Sequence, residues 1–482
     1  MEDTRTSAGR LPAMPRLATA IGLPLAVALA MGALVVFAEE EALVIALSLV
    51  ACVFVMLDFR FGVACLVILM PLSASTIFPH SMAGVTGLNP INLLVMVTCA
   101  SMLAHGLPEG GWARFAPRPV IWFYLVPLAA AGLLGMRHAG EIPSDFNIAA
   151  LIAFDSPQGY LRDILLKPAL LVLFALILGA AVARSRRPEG FLLPMMVSVW
   201  VMGGLAIAYF HFSGASLAEA SSATDRGFLS PLGLHANDLG RYYAVAYALM
   251  LFTAAATRDY KLKLALGASI AMLVVALTLT FSRSAFFGFL LVSVVFLLSH
   301  RRFGTVLLGA AALAALVWMA PPAVFERIEL GWGEGLNAIS AGRVDDIWLP
   351  LLPEIWQSPI WGHGLASTLW SEATRSGRIP LVGHPHNAYL ATLLDMGIVG
   401  LGLMGAYYLH LWNGFRRLSR DATLSAELRG FFTGAAVGLA TFLVAGMSGS
   451  SLSPAPEQFY LWFAVGMMYG LVGRPDLRVV QC

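Results

Sequence analysis

Fourteen stretches of the chain are apolar over roughly the length of a membrane-crossing helix. They cover residues 17–37, 42–57, 62–78, 91–104, 119–135, 164–183, 190–210, 239–257, 264–281, 284–299, 304–320, 388–411, 429–448 and 456–474. A spanning helix needs about 20 apolar residues. The runs at 42–57 and 91–104 are shorter, so re-entrant segments or a misplaced boundary stay open there. The first run follows Arg16, and Ala28-Leu29-Ala30 resembles a cleavage site. Its apolar character continues to Phe37, which favours a retained helix over a signal peptide. The pattern predicts an all-α polytopic membrane protein with about 12–14 transmembrane helices, organised as one membrane domain over 1–482.

The polar segments between the runs give the chain a direction. With the N-terminus inside, 20 of the 30 Lys and Arg residues fall on the inner side, in short basic loops such as 184–187 and 300–302. That excess follows the positive-inside rule and puts both termini in the cytoplasm. The outer loops at 136–163, 211–238 and 321–387 are longer. The last carries Trp332, Trp348, Trp356, Trp361 and Trp370. Within it, 344–357 has a helical pattern with Ile347, Trp348, Leu351, Ile355 and Trp356 on or near one face. This suits a short helix at the membrane surface, kinked or broken by Pro350 and Pro353. Long structured loops tend to carry function, so chemistry is expected on the outer face.

Composition agrees with this outline. The 482 residues are 59% hydrophobic and 12% charged, against about 25% charged in a soluble domain. The net charge of +2 is spread over many loops and implies no nucleic-acid partner. Cys52, Cys65 and Cys99 lie inside apolar runs and Cys482 is the last residue, so no disulfide framework or zinc spacing follows.

The candidate chemistry centres on His384-Pro385-His386-Asn387, at the mouth of the run beginning at Ala388. An imidazole there can act as a general base near neutral pH. The alternative is a helix-entry histidine with Asn387 as cap. His384 is a weaker candidate for the same role. Arg241, Arg283 and Arg343 lie on the outer side and could grip a lipid pyrophosphate. The alternative is headgroup contact, or pairing with Asp238, Asp345 or Asp346. Asp395 and Lys167 read as a structural interhelical pair rather than a proton path. Gly397, Gly400, Gly402 and Gly405 read as a close-packing face, and His363 as a turn residue. No phosphate-cradling Gly-rich loop, metal-ligand spacing or serine-nucleophile motif occurs.

These residues resemble the O-antigen ligase and polysaccharide polymerase superfamily of bacterial inner-membrane glycosyltransferases. Its signature is His, Asn or Ser, nine residues, Gly, two residues, then a small residue or Tyr. His386-Asn387, Ala388 to Met396, Gly397, Ile398-Val399 and Gly400 match it. The resemblance extends over 235–411, through Asn237 to Arg241, Ser282-Arg283, Gly342-Arg343, Trp348, Pro359, Gly362 and Gly364, with 321–387 as the large periplasmic loop. It implies a C-type glycosyltransferase architecture. It also implies transfer of a glycan from undecaprenyl pyrophosphate to an acceptor sugar hydroxyl at the periplasmic face. His386 would be the base and Arg241, Arg283 and Arg343 would hold the pyrophosphate, supported by His384, Asn387, Gly397 and Gly400. The activated donor stores the energy, so no cofactor or metal is expected, and one displacement implies inversion.

Lipid A–core as acceptor makes the chain an O-antigen ligase, and the cleanness of the His-Asn motif favours this. A growing polysaccharide as acceptor makes it a repeat-unit polymerase for O-antigen or exopolysaccharide. From another class, a polyisoprenoid or solute transporter would place polar groups near the midplane of an inverted repeat. The polar residues gather at the outer surface instead.

Overall fold

The computed structural model describes residues 40–78, 89–105, 111–149, 156–214, 226–300, 333–449 and 451–472, with short pieces at 81–82, 85–86, 151–152, 154, 216, 219, 325, 329 and 331. The expected spans 17–37 and 304–320, the signal-peptide-like stretch, Trp332 and Cys482 lie outside these residues. The helices are α1 (Glu40–Leu57), α2 (Phe59–Leu69), α3 (Pro90–Ala104), α4 (Arg118–Met136), α5 (Pro157–Arg184), α6 (Pro188–Ser213), α7 (Ala236–Ala256), α8 (Tyr260–Thr278), α9 (Arg283–Ser299), α10 (344–357), α11 (Ala388–Ser419), α12 (Ala426–Ser448) and α13 (Phe459–Val472). Ser81–Met82 and Val85–Thr86 pair as a minimal antiparallel ladder. Among the described residues, α4 to α8, α11 and α12 are seven helices long and apolar enough to cross a membrane. The chain is an all-α polytopic membrane protein.

Local signals place the helix starts. Asn89 accepts from the Asn92 N–H at 2.8 Å and Pro90 opens α3. Asp259 caps α8 through the Lys261 N–H at 2.9 Å. The expected span 62–78 is shorter, because α2 gives way to a 3-10 turn at Met70–Leu72 that contains Pro71. Three π turns, Ile121–Leu125, Leu161–Leu166 and Val344–Trp348, each stand two residues before a proline, at Pro127, Pro168 and Pro350. A proline ring collides with the carbonyl four residues back and offers no N–H; a wider turn shifts the ladder and relieves both problems. The break expected in α10 is therefore a change of winding, and the helix runs on to Gln357.

The core is built around α7, which packs against α8, α9, α12 and α13. Gly430, Gly434 and Gly438 of α12 let the two backbones approach. A Cβ at Gly434 would come within 2.9 Å of the Leu249 Cα. On the other side Gly466 and Gly470 of α13 face Ala175 and Gly179 of α5. The close-packing glycines are these, rather than the series after Gly397. Gly402 and Gly405 have open space where a side chain would stand.

Gly397 does something else. Its φ of 63° breaks α11, and the turn-rich segment 359–365 is spliced into the gap. His363 and Gly364 donate N–H groups to the Leu394 and Asp395 carbonyls at 2.8 and 2.9 Å. The Ile398 N–H donates in turn to the Pro359 carbonyl at 2.9 Å. Broken backbone is tolerated in a membrane protein only where such partners exist. The splice reaches α4 and α5 as well: the Leu365 N–H donates to the Ala131 carbonyl at 3.0 Å and Tyr160 Oη donates to the Leu365 carbonyl at 2.5 Å. Asp395 is buried here and accepts from the Ser367 N–H and Oγ at 2.9 and 2.8 Å. Lys167 pairs with Asp163 one turn earlier on its own helix, at 2.6 Å. The expected interhelical Asp395–Lys167 pair is thus replaced by a loop contact to Ser367 and a pair within one helix.

In α10, Ile347 and Leu351 are buried against Ala373, Ile379 and Leu394, with Trp348 and Ile355 packed alongside. Trp356 departs from the expected face and is 79% exposed. With Leu349, Leu352, Ile360 and Trp361 it forms a second, outward apolar surface, which suits contact with a membrane interface.

The splice predicts a sharp contrast. Gly397→Ala puts a Cβ against the Ile360 backbone at a positive φ, costing roughly 1–3 kcal/mol from strain alone. Gly402→Ala, in open helix, is expected to be neutral or stabilising. Thermal unfolding of the two variants in detergent checks this, and equal melting temperatures would contradict the splice.

Candidate active site

Three contacts shape the 384–387 segment. The Trp348 indole N–H donates to the Pro385 carbonyl at 2.8 Å, tying the segment to α10. Asn387 Oδ1 accepts from the Tyr389 and Leu390 N–H groups, both at 3.1 Å, and starts α11 as an N-cap. Tyr389 Oη donates to the Leu443 carbonyl at 2.5 Å, joining that start to α12. Between these anchors His386 is held at φ 54°, a left-handed conformation unusual for a side-chain-bearing residue. Such strain persists where the surroundings enforce it, often at functional sites.

The two histidines lie together, their ring centres 4.2 Å apart and edge to face. The His386 N–H donates to His384 Nδ1 at 3.2 Å. A backbone N–H can only donate, so His384 Nδ1 carries no proton and any proton sits on Nε2. Burial is the main force on both rings. It pushes His386 down to about 3, helped by His384, Arg343, His235 and Arg241. His384 is pushed down to about 4 by burial, then Arg241, with Glu457 opposing and Arg343 and His235 adding. Arg241, Arg343 and His235 act on both rings, and with the 4.2 Å ring contact this identifies one cluster.

Arg241 stands in the second turn of α7 and is 5% exposed. It is ion-paired with Asp238, and its guanidinium lies 3.6 Å from Glu457 Oε1. Glu457 is itself buried, in the 3-10 turn Pro456–Gln458 before α13. Arg343 opens α10 and is half-buried. Arg283 is the first residue of α9, after a turn in which Phe281 has φ 46°. That turn packs against Gly240: a Cβ there would lie 3.1 Å from the Ser282 Cβ. Arg283 therefore reaches the same end of α7 as Arg241.

The structure thus brings together Arg241, Arg343, His384 and His386, with Arg283 at the adjoining turn and Asn387 as the cap. Gly397 forms the backbone break further along α11, and Gly400 lies in the helix just beyond it, facing the Met396 side chain. Glu457 and His235 complete the cluster without having been singled out from the sequence. Glu457 had a usable signal, an acidic side chain at the mouth of an apolar run. Among the described residues no group of three or more His, Cys, Asp or Glu side chains is placed to hold a metal ion.

Residues 268–405 match the family described as O-Antigen ligase. Over that segment the chain is similar to the O-antigen ligase family, as the His-Asn signature implied. The matched segment contains Arg283, Arg343, both histidines, Asn387, Gly397 and Gly400. Arg241 and Glu457 come from outside it and meet the segment through the packing of α7 and α13. No curated protein sequence matches the chain. Family members are glycosyltransferase-type enzymes of the ligase or polymerase kind.

The charge arrangement makes a pH prediction. An ordinary histidine titrates at about 6.5, whereas His386 and His384 are depressed and stay neutral well below that. Carbethoxylation at His386, which requires neutral imidazole, should keep its rate on acidification from about pH 7 to about pH 5. Arg343→Gln removes a cation and should move the midpoint upward. A wild-type midpoint near 6.5 would contradict this electrostatic picture.

Proposed function

We propose that this protein is an O-antigen ligase, moving a completed glycan from undecaprenyl pyrophosphate to a sugar hydroxyl of lipid A–core at the periplasmic face of a bacterial inner membrane. The convergence of a half-buried histidine pair with Arg241 and Arg343 at one end of α7 is the observation that supports it. In this reading the membrane unit is 1–482, the catalytic core 235–411 and the periplasmic loop 321–387, with both termini cytoplasmic.

The reaction is a single displacement. His386 accepts the proton of the acceptor hydroxyl as the oxygen bonds to the anomeric carbon. The carbon–oxygen bond to the pyrophosphate breaks, and its electron pair leaves with undecaprenyl pyrophosphate. Arg241, Arg283 and Arg343 stabilise the charge growing on that leaving group, in surroundings where fixed guanidinium groups act strongly. The configuration inverts, and the guanidinium groups take the role a metal ion would otherwise play. His384 and Asn387 position the base.

A histidine depressed to about 3 is a poor base in the empty protein. The donor answers this, because its pyrophosphate brings negative charge toward the same arginines. Their effect on the imidazole is offset and its proton affinity rises. The base is therefore competent when the leaving group is in place, which favours donor binding first.

His386→Ala is expected to cut transfer by about 10²–10⁴-fold and to leave undecaprenyl pyrophosphate binding largely intact. Arg283→Ala should weaken that binding. Purified protein given lipid-linked glycan should form a one-block product only when lipid A–core is added. A ladder of lipid-linked chains without it would make the protein a polymerase, and full activity of His386→Ala would remove the base assignment.

A further inference from the structure

A sizeable cavity lies away from the histidines, where the ends of α2, α3, α5 and α13 meet. Its volume is ≈ 500 Å³, and Met70, Ile91, Leu170, Leu171 and Phe459 supply apolar walls. Arg162, Asp163 and Lys167 stand in its lining. Asp163 lies 3.0 Å from Arg162 and 2.6 Å from Lys167. Two cations therefore face one carboxylate, leaving a net positive edge. The Lys167 side chain is 60% exposed and that of Asp163 only 14%, so the cations are the outward part. Arg162 and Asp163 sit on the π turn Leu161–Leu166, a device frequent at functional sites.

An apolar chamber with a cationic edge has the chemistry of an anionic amphiphile, with hydrocarbon inside and phosphate against Arg162 and Lys167. The chamber also adjoins the histidine–arginine cluster. Ala455, Pro456 and Phe459 line it, while the intervening Glu457 turns to Arg241 at 3.6 Å. One short segment thus separates two cationic sites. The donor pyrophosphate, in the function proposed above, occupies the Arg241 side.

We infer that the chamber between α2, α3, α5 and α13 is a second lipid site, which seats the phosphate-bearing lipid anchor of the acceptor. The word acceptor rests on the transfer reading; the binding of a phosphorylated lipid does not. Two lipids held on opposite faces of the 455–459 segment would bring their sugar portions to the same end of α7. This also gives a role to the N-terminal helices, which lie outside the family-matched segment.

The test uses the full-length protein in nanodiscs and reads binding without turnover. Lipid A–core and undecaprenyl-pyrophosphate glycan are titrated separately against wild type, the double variant Arg162→Gln/Lys167→Gln, and Leu171→Trp, which fills the chamber. The double variant changes solvent-facing charges and so guards against a folding failure of Leu171→Trp. The expected result is an increase of about tenfold in the Kd for lipid A–core in both variants, with one unaltered site for the lipid-linked glycan. If lipid-linked glycan instead fills two sites and the double variant removes one, the anchor is that of a growing chain and the inference stands. If neither ligand's binding changes, the inference falls. It falls equally if a single lipid-linked-glycan site weakens, since the chamber then serves the donor. Absence of transfer in wild type would sink the ligase reading while leaving each of these binding outcomes measurable.

Discussion

A transmembrane helix that breaks its own hydrogen-bond ladder must find partners for the freed backbone groups, because lipid offers none. In α11 that need is met by the chain 359–365, which supplies donors to the Leu394 and Asp395 carbonyls and an acceptor to the Ile398 N–H. Much of the architecture depends on this splice. It fixes the large loop to a spanning helix from within, and it reaches α4 through Ala131 and α5 through Tyr160. His363 Nε2 donates to the Glu354 carbonyl at 2.9 Å, bringing in α10 as well. With α10 held, Trp348 can pin Pro385, and the histidine pair stands on a braced segment. Gly362, Gly364 and Gly397 follow from the same constraint: all three have positive φ, and a Cβ on each would meet opposing backbone.

The histidine–arginine cluster is balanced between repulsion and compensation. Partial burial, helped by nearby cations, holds the imidazoles neutral, while Asp238 and Glu457 neutralise part of the Arg241 charge. An anionic ligand changes that balance more than a neutral one, since it competes with the acids for guanidinium and relieves the histidines together. The site is therefore built to respond to the charge of what enters it. Its parts come from helices far apart in sequence, and the α7–α12 and α5–α13 glycine contacts keep those helices in register.

Much of this was legible from the residue order. Apolar runs located the described spans, because a helix in lipid needs continuous hydrophobicity and little else. The polar His-Pro-His-Asn segment stood out because charge at the mouth of such a run is rare. Arg283 was legible as a surface residue from the shortness of its turn. The glycines after Asn387 were read through the wrong interaction, since periodic spacing says that side chains are small and not what approaches them. Gly397 accommodates backbone from a distant loop, while Gly402 and Gly405 accommodate nothing.

By itself the sequence determined the membrane class, most of the described spans, the cap at Asn387, and the residues from which an anion-handling site could be drawn. Each follows from neighbours within a few positions, where covalent connection sets the geometry. Tertiary structure decided which of those residues meet. It paired Arg241 with Glu457 across more than two hundred positions, gave Asp395 to Ser367, and turned Trp356 away from its expected face. It also turned the proline break expected in α10 into a π turn. Those outcomes depend on which backbones approach closely enough to exchange hydrogen bonds or charge, a property of packed helices that no local pattern contains.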